Sequence, residues 1–306
     1  MRRSGTRSAD EQALAIGVVW DEAAREAANR SGRNYWHTYI WEILDRLGVP
    51  GFCINPSSLA NPRRLARFGA IIIGGLERPL PADAAAALAA WVRGGGTLVG
   101  FAVEGLDGLF GVRPRMRIAQ PADEFAIIGY LEFARNRLTQ GIHSRHRPEQ
   151  RLIVISPVRA VTPAPSRAVA RFFRPDASAP DDGSRAHDSG LAAVTARRLG
   201  RGWAFYFGFD LPHTVWAIQQ GRPIDADYDG DGYVRFGDAM VIGRNSPEVA
   251  YSDELAWLLE GMLARPARAD DPSTAGQGRH RAGRAVLLRL RTTSARRACR
   301  SPPRIS

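Results

Sequence analysis

The run Asp227-Tyr-Asp-Gly-Asp-Gly-Tyr-Val-Arg-Phe-Gly-Asp238 has a spacing that implies a specific chemistry. With Asp227 as position 1, carboxylates fall at positions 1, 3, 5 and 12, contributed by Asp227, Asp229, Asp231 and Asp238. Gly232 stands at position 6, where the chain must turn sharply, and Tyr233 at 7 offers its backbone carbonyl. Val234 at 8 is the apolar anchor of such a loop. This is the ligand order of a twelve-residue calcium loop, in which a glycine lets alternate oxygen ligands converge on one ion. The competing reading is a solvated acidic turn whose glycines close a hairpin and whose Asp238 caps the next helix. The four-carboxylate register and the apolar Ala239-Met-Val-Ile242 directly after it favour metal, so the expected cofactor is Ca²⁺.

Three further residues are candidates for catalysis: Asp21, Glu104 and His213. Each follows an apolar run that reads as a strand, and in open α/β sheets ligands bind beyond the carboxyl ends of strands. Asp21 and Glu104 could form a carboxylate pair for acid–base work on a sugar. Their plainer roles are loop solvation and helix capping. His213, in Asp210-Leu-Pro-His-Thr214, and the pair Gly74-Gly75 would lie at the same edge. Tyr35, Trp36, His37 and Tyr39 cluster at a helix start. Trp36 is expected in the core, with Tyr35 and Tyr39 as an aromatic rim able to pack on a sugar face. His143 and His146 have i, i+3 spacing but no third ligand near, and read as surface residues. Gly94-Gly-Gly96 precedes a strand and lacks a following Lys-Ser/Thr, so it is no phosphate loop.

The elements that position these residues follow from hydrophobic pattern. Ala13–Trp20, Phe52–Ile54, Gly69–Gly74 and Thr97–Ala102 are apolar runs of strand length. Between them, a polar loop leads to a helical periodicity over Tyr35–Leu47 that ends at Gly48. Leu65–Phe68 reads as a helical turn, and Pro81 opens a helix that runs through Val92. This alternation predicts a parallel, doubly wound sheet. Beyond it, Phe125–Tyr130 and Leu152–Ile155 are strand-like, and Ala164–Gly190 reads partly as a mobile loop. Leu191–Leu199 and Trp203–Phe209 form a hairpin through Gly200-Arg-Gly202. Helices follow after Pro212 and over Asp253–Leu263. The fold class is α/β, with a flavodoxin-like, mainly parallel sheet and an added β-hairpin region.

Composition limits the partners. The formal charge is +11 and every basic residue is arginine, with no lysine. From Arg265 onward eleven arginines face only Asp270 and Asp271, which leaves the body near +2. A nucleic-acid groove is therefore not expected. The domain reads as residues 13–265, between a disordered stretch at 1–12 and a disordered arginine-rich tail at 266–306. That tail is either a basic extension or the product of a shifted reading frame. Cys53 and Cys299 are the two cysteines, and they imply no disulfide framework; Cys53 is expected on a buried strand. With no signal peptide visible and no stretch long enough to span a bilayer, the expected address is the cytoplasm.

The segment Gly69-Ala-Ile-Ile-Ile-Gly74, then Leu80–Val92, then Gly94-Gly-Gly-Thr-Leu-Val99 resembles the class I glutamine amidotransferase-like superfamily. Closest are its non-catalytic forms, the β-galactosidase trimerisation and trehalose-utilisation-type domains. The acidic loop resembles those of dockerin-type modules. In catalytic members a cysteine sits on the turn after the strand matching Thr97–Ala102, and a His-x-Glu pair comes later. Here that turn reads Val103-Glu-Gly-Leu-Asp107, and no glutamate stands two residues after His213. The resemblance implies a non-catalytic accessory or ligand-binding module of a carbohydrate-active system. The alternative is a metal-dependent hydrolase acting on a carbohydrate or amide.

Overall fold

The computed structural model describes residues 15–123, 125–136, 138–139, 151–179, 183–220 and 253–264. The acidic loop with Asp227, Asp229, Asp231, Tyr233 and Asp238 lies outside the described residues, as do His143, His146 and the segments 1–12 and 266–306.

Eleven strands build one sheet: β1 (Ile16–Val19), β2 (Gly51–Ile54), β3 (Ala70–Ile73), β4 (Thr97–Phe101), β5 (Val112–Ile118), β6 (Gly129–Phe133), β7 (Leu152–Val154), β8 (Val158–Pro163), β9 (Arg167–Arg174), β10 (His187–Leu199) and β11 (Gly202–Phe207). The helices are α1 (Glu22–Arg30), α2 (Ile40–Arg46), α3 (Pro62–Leu65), α4 (Ala82–Arg93), α5 (Asp107–Phe110), α6 (Leu211–Gln220) and α7 (Asp253–Leu263), with a 3₁₀ turn at Trp36–Tyr39 before α2. The path runs β2-β1-β3-β4-β11-β10-β9-β6-β7, and β8 pairs with β10 and β5 off that path.

The fold is mixed α/β. Strands β2, β1, β3, β4 and β11 pair in parallel, and the remaining contacts are antiparallel. Every residue of β1, β3 and β4 is buried, which is why they read as unbroken apolar runs. Alternate side chains feed two cores. Val18, Ile72, Val99, Phe205 and Phe207 pack with Ile40, Ile43 and Leu44 of α2, Val215 of α6 and Leu255, Leu258 and Leu259 of α7. Val19, Ile71, Ile73, Leu98 and Tyr206 pack with Leu65 of α3 and with Ala84, Leu88 and Val92 of α4. Each such fully buried aliphatic or aromatic side chain contributes about 1.5–3 kcal/mol.

The first hundred residues follow the expected alternation closely, with two corrections. The polar stretch after β1 is helix α1, capped by Asp21, whose side chain accepts from Ala24 N. Its only buried residue is Ala24, so no apolar stripe announced it. Cys53 is also corrected: it is exposed on β2 rather than buried. Strand β6 starts at Gly129 rather than Phe125. The presumed mobile stretch contains the eight-residue β9, and β10 begins at His187. The antiparallel region is thus far larger than a hairpin. Arginines at Arg167, Arg171 and Arg174 hid β9, because their exposed side chains flank buried Val169, Ala170, Phe172 and Phe173. Strand β5 follows a similar rule: Arg113, Pro114, Arg115 and Arg117 are exposed, and a bulge between Pro114 and Met116 interrupts its pairing with β8.

One ion pair locks the two parts of the sheet together. Arg159 of β8 donates to both carboxylate oxygens of Asp107 in α5, at 2.8 and 2.9 Å, and to the Tyr206 hydroxyl of β11 at 3.0 Å. The Arg159 side chain is only 11% exposed. Removing one partner of such a pair strands the other charge. Arg159→Met is therefore expected to lower unfolding free energy by about 3 kcal/mol, measured by urea denaturation; a loss within experimental error would show the pair to be dispensable.

Candidate functional site

Because β1, β3, β4 and β11 are parallel neighbours, their carboxyl ends share one edge. The structure brings Trp20 and Asp21, Gly74 and Gly75, Ala102 and Glu104, and Asp210 and His213 to that edge.

Asp21 is occupied there. One oxygen accepts from Ala24 N at 3.1 Å as the cap of α1, and the other accepts from Glu77 N at 3.1 Å. The carboxylate thus staples the loop after β3 to the turn after β1. Glu104 points to the surface and pairs with Arg117 at 2.6 Å. Among the described residues no hydrogen bond links these two carboxylates, and each has its own partner.

The turn after β4 carries backbone strain. Ala102 has a φ of 50°, and it is the non-glycine residue with positive φ among the described residues. A side chain in this region costs about 1–2 kcal/mol. The turn is held because Ala102 N donates to Phe207 O at 2.8 Å on β11. A few residues on, Asp107 is gripped by Arg159, and Arg197 donates to the carbonyls of Gly108 and Leu109. The residue at this turn is half-buried and carries only a methyl group.

Behind the elbow lies a group of buried polar atoms. The His37 ring is 1% exposed, and Nε2 lies 3.0 Å from Val19 O. The carbonyl can only accept, so Nε2 carries the proton and Nδ1 is left as a lone pair. Nδ1 has no partner among the described residues, and a Cβ on Gly74 would come within 3.0 Å of it. The Tyr35 hydroxyl and both nitrogens of His213 are likewise buried and unpartnered among the described residues. His213 stacks on Trp36, with centroids 4.0 Å apart and planes 3° apart. Trp36 leads on to Trp216 at 4.6 Å and Tyr39 at 6.1 Å. Tyr35 is buried, whereas Trp36 and Tyr39 are half-buried, so Trp36 joins the rim and Tyr35 the interior.

Burial sets the protonation of this edge. It depresses His37 to about 4, against a smaller opposing effect of the Val19 carbonyl. It likewise depresses His213 to about 4. It pushes the Tyr35 phenol well above its ordinary range. Asp210, which caps α6 by accepting from His213 N at 3.1 Å, is pushed up to about 6 by burial. At neutral pH both imidazoles and the phenol are uncharged. Among the described residues no cluster of three or more His, Cys, Asp or Glu could hold a metal ion. Asp210 was not anticipated, although its place three residues before His213, ahead of a helix, is a cap signature. His37 was noted only as one of an aromatic group, and no sequence signal marks the φ of Ala102.

No protein-family model matches the chain, and no curated protein matches it. Among solved structures, a catalytic mutant of a GH42 β-galactosidase from G. stearothermophilus is similar, at 15% identity and a TM-score of 0.44 over 63% of this chain and 27% of that one. A β-galactosidase from Bacillus circulans sp. alkalophilus gives 13% and 0.45 over 67% and 30%. A cytoplasmic protein from Salmonella typhimurium gives 11% and 0.43 over 66% and 90%. The chain thus spans under a third of the length of the two galactosidases. Among the described residues no helix is long and apolar enough to cross a membrane.

Two outcomes follow from the geometry. Both histidines have folded values below the unfolded value, so the unfolded state takes up protons first, and stability is lost as pH falls from about 6.5 towards 4. Asp210 acts oppositely between about 6 and 4, because the folded state holds its proton longer. His213→Phe keeps the stack on Trp36 and removes one titrating group. It is expected to match the parent at pH 7 and to retain up to about 3 kcal/mol more of its stability at pH 4, read from denaturation at both pH values. Ala102→Gly relieves the strained φ, and is expected to leave stability unchanged or raise it by up to about 1 kcal/mol; a clear loss would mean that the methyl group is needed for packing.

Proposed function

We propose that residues 13–265 form a non-catalytic domain of the amidotransferase-like, flavodoxin-like kind, acting as a ligand-binding or accessory module of a carbohydrate-active system. The observation that carries this reading is the elbow at Ala102. The strained turn after β4 is kept and tied to β11, while the side chain it presents is a methyl group with no nucleophilic atom. Thioester chemistry on glutamine needs a thiolate at such a point. The one cysteine among the described residues, Cys53, lies on β2 at the edge of the sheet, three strands away from that turn.

Binding is supported by the unpartnered atoms of Tyr35, His37 and His213 at the same edge, beside the rings of Trp36 and Tyr39. A buried polar atom without a partner costs about 1–3 kcal/mol, and a ligand hydroxyl or a trapped water would recover that. With both imidazoles neutral, the set suits an uncharged, hydroxyl-bearing molecule. The Asp227–Asp238 loop would hold one structural Ca²⁺ through Asp227, Asp229, Asp231, the Tyr233 carbonyl and Asp238.

Incubation with L-glutamine is expected to release no glutamate above the buffer rate, and measurable turnover would overturn the non-catalytic reading. Ligand-observed NMR against neutral mono- and disaccharides is expected to find binding; silence from all of them would end the ligand assignment. Millimolar Ca²⁺ is expected to raise Tm, chelator to reverse the rise, and Asp231→Ala to abolish it. No shift in the parent protein would sink the calcium assignment.

A further inference from the structure

The 3₁₀ turn at Trp36–Tyr39 is fastened to the sheet by side chains and not by a strand ladder. Among the described residues its backbone closes on itself, with Thr38 N donating to Tyr35 O at 3.1 Å. Outward contacts come from three rings. His37 Nε2 donates to Val19 O of β1, Trp36 stacks on His213 of α6, and Tyr35 meets Trp20 edge-on with centroids 5.3 Å apart. Before the turn, residues 31–34 are all exposed, and Gly32 has a φ of 66° with open space where a Cβ would stand. After it, fully buried Ile40 pins α2. The start of α6 is anchored as well, because Asp210 N donates to Ser156 Oγ at 3.1 Å and Asp210 caps the helix at His213 N. Of the parts that meet here, the turn is the one with a free linker behind it.

The two histidines in this junction have nowhere to place a second proton. His37 Nδ1 and both His213 nitrogens are buried without a partner among the described residues. The charged groups around them are committed elsewhere. On the β1–α1 side, Asp21 caps α1 and holds Glu77 N, and Glu22 pairs with Arg25. On α2, Glu42 is taken by Arg46 and Gln219. On α6, Asp210 accepts from the backbone of His213, not from its ring. An imidazolium over an indole face gains a cation–π attraction, yet burial wins here and holds His213 at about 4.

We propose that the Trp36–Tyr39 turn is an acid-released latch: protonation of His37 and His213 frees it from β1 and α6 while the sheet stays folded. Both folded values lie near 4, below the ordinary 6.5, so the released form takes up protons first and gains as pH falls through that window. At pH 5 each histidine favours release by about 30-fold, and Asp210, were it released too, would oppose it by about tenfold. The net is on the order of a hundredfold more open latch than at neutral pH. Release uncovers Gly74 and Gly75, against which the His37 side chain packs. The latch belongs to the empty domain and does not depend on the ligand reading above.

The test is hydrogen exchange of the full chain at pH 7 and pH 5, with no sugar present and with rates corrected for the intrinsic effect of pH. Residues 35–39 are expected to lose protection by tenfold or more, relative to β3 and β4. Unchanged protection at 35–39 would overturn the latch, and an equal loss across β3 and β4 would replace it with global unfolding. His213→Phe, which keeps the stack on Trp36, and His37→Gln, whose amide can still donate to Val19 O, are each expected to shrink the response by about tenfold. The full response in the double variant would overturn the histidines as the trigger. Should a variant fail to fold, the parent profile alone decides between latch and global unfolding.

Discussion

The pairing of β11 with β4 is the constraint on which the rest of the molecule depends. Strand β11 runs parallel to β4 over Trp203–Phe207 and antiparallel to β10 on its other side. Its backbone is therefore the seam between a parallel half and an antiparallel half. Its start is crowded: a Cβ on Gly202 would collide with the carbonyls of Val92 and Gly96, so only glycine lets the strand enter there. At its other end, Phe207 O anchors the Ala102 turn, and the chain goes on to Asp210 and His213. One strand thus sets both the elbow and the histidine beside it.

Much of the parallel half was legible in the amino-acid order, because strands buried on both faces must be apolar throughout. Ile71, Ile72 and Ile73 of β3 or Leu98 and Val99 of β4 have no solvent face to disguise them. The antiparallel half was harder to read. There, strands such as β5 and β9 keep one face wet, and their arginines look like loop residues until the partner strand is known. Helix α1 was missed for the opposite reason: it buries almost nothing, and its stability comes from the Asp21 cap and from Glu22 pairing with Arg25.

The site shows the same division. Position in the chain placed Asp21, Glu104 and His213 at strand ends, because parallel topology brings all such ends to one edge. What each does there depended on partners distant in sequence. Asp21 became a staple through Glu77, and His213 a stacked, uncharged ring through Trp36. The interior position of Tyr35 and the rim position of Trp36 reversed expectation, since the 3₁₀ turn at Trp36–Tyr39 rotates side chains differently from an α-helix.

The edge at β5 has a consequence for life in a crowded solution. Besides β8, no described strand pairs with β5, and a row of free amides and carbonyls invites another copy to add on. Three features discourage that here. Pro114 removes a donor, the bulge at Arg115 breaks the straight register, and Arg113, Arg115 and Arg117 would meet the same guanidinium groups on an approaching twin. The arginines that made this strand hard to recognise are also what keep it from seeding an aggregate.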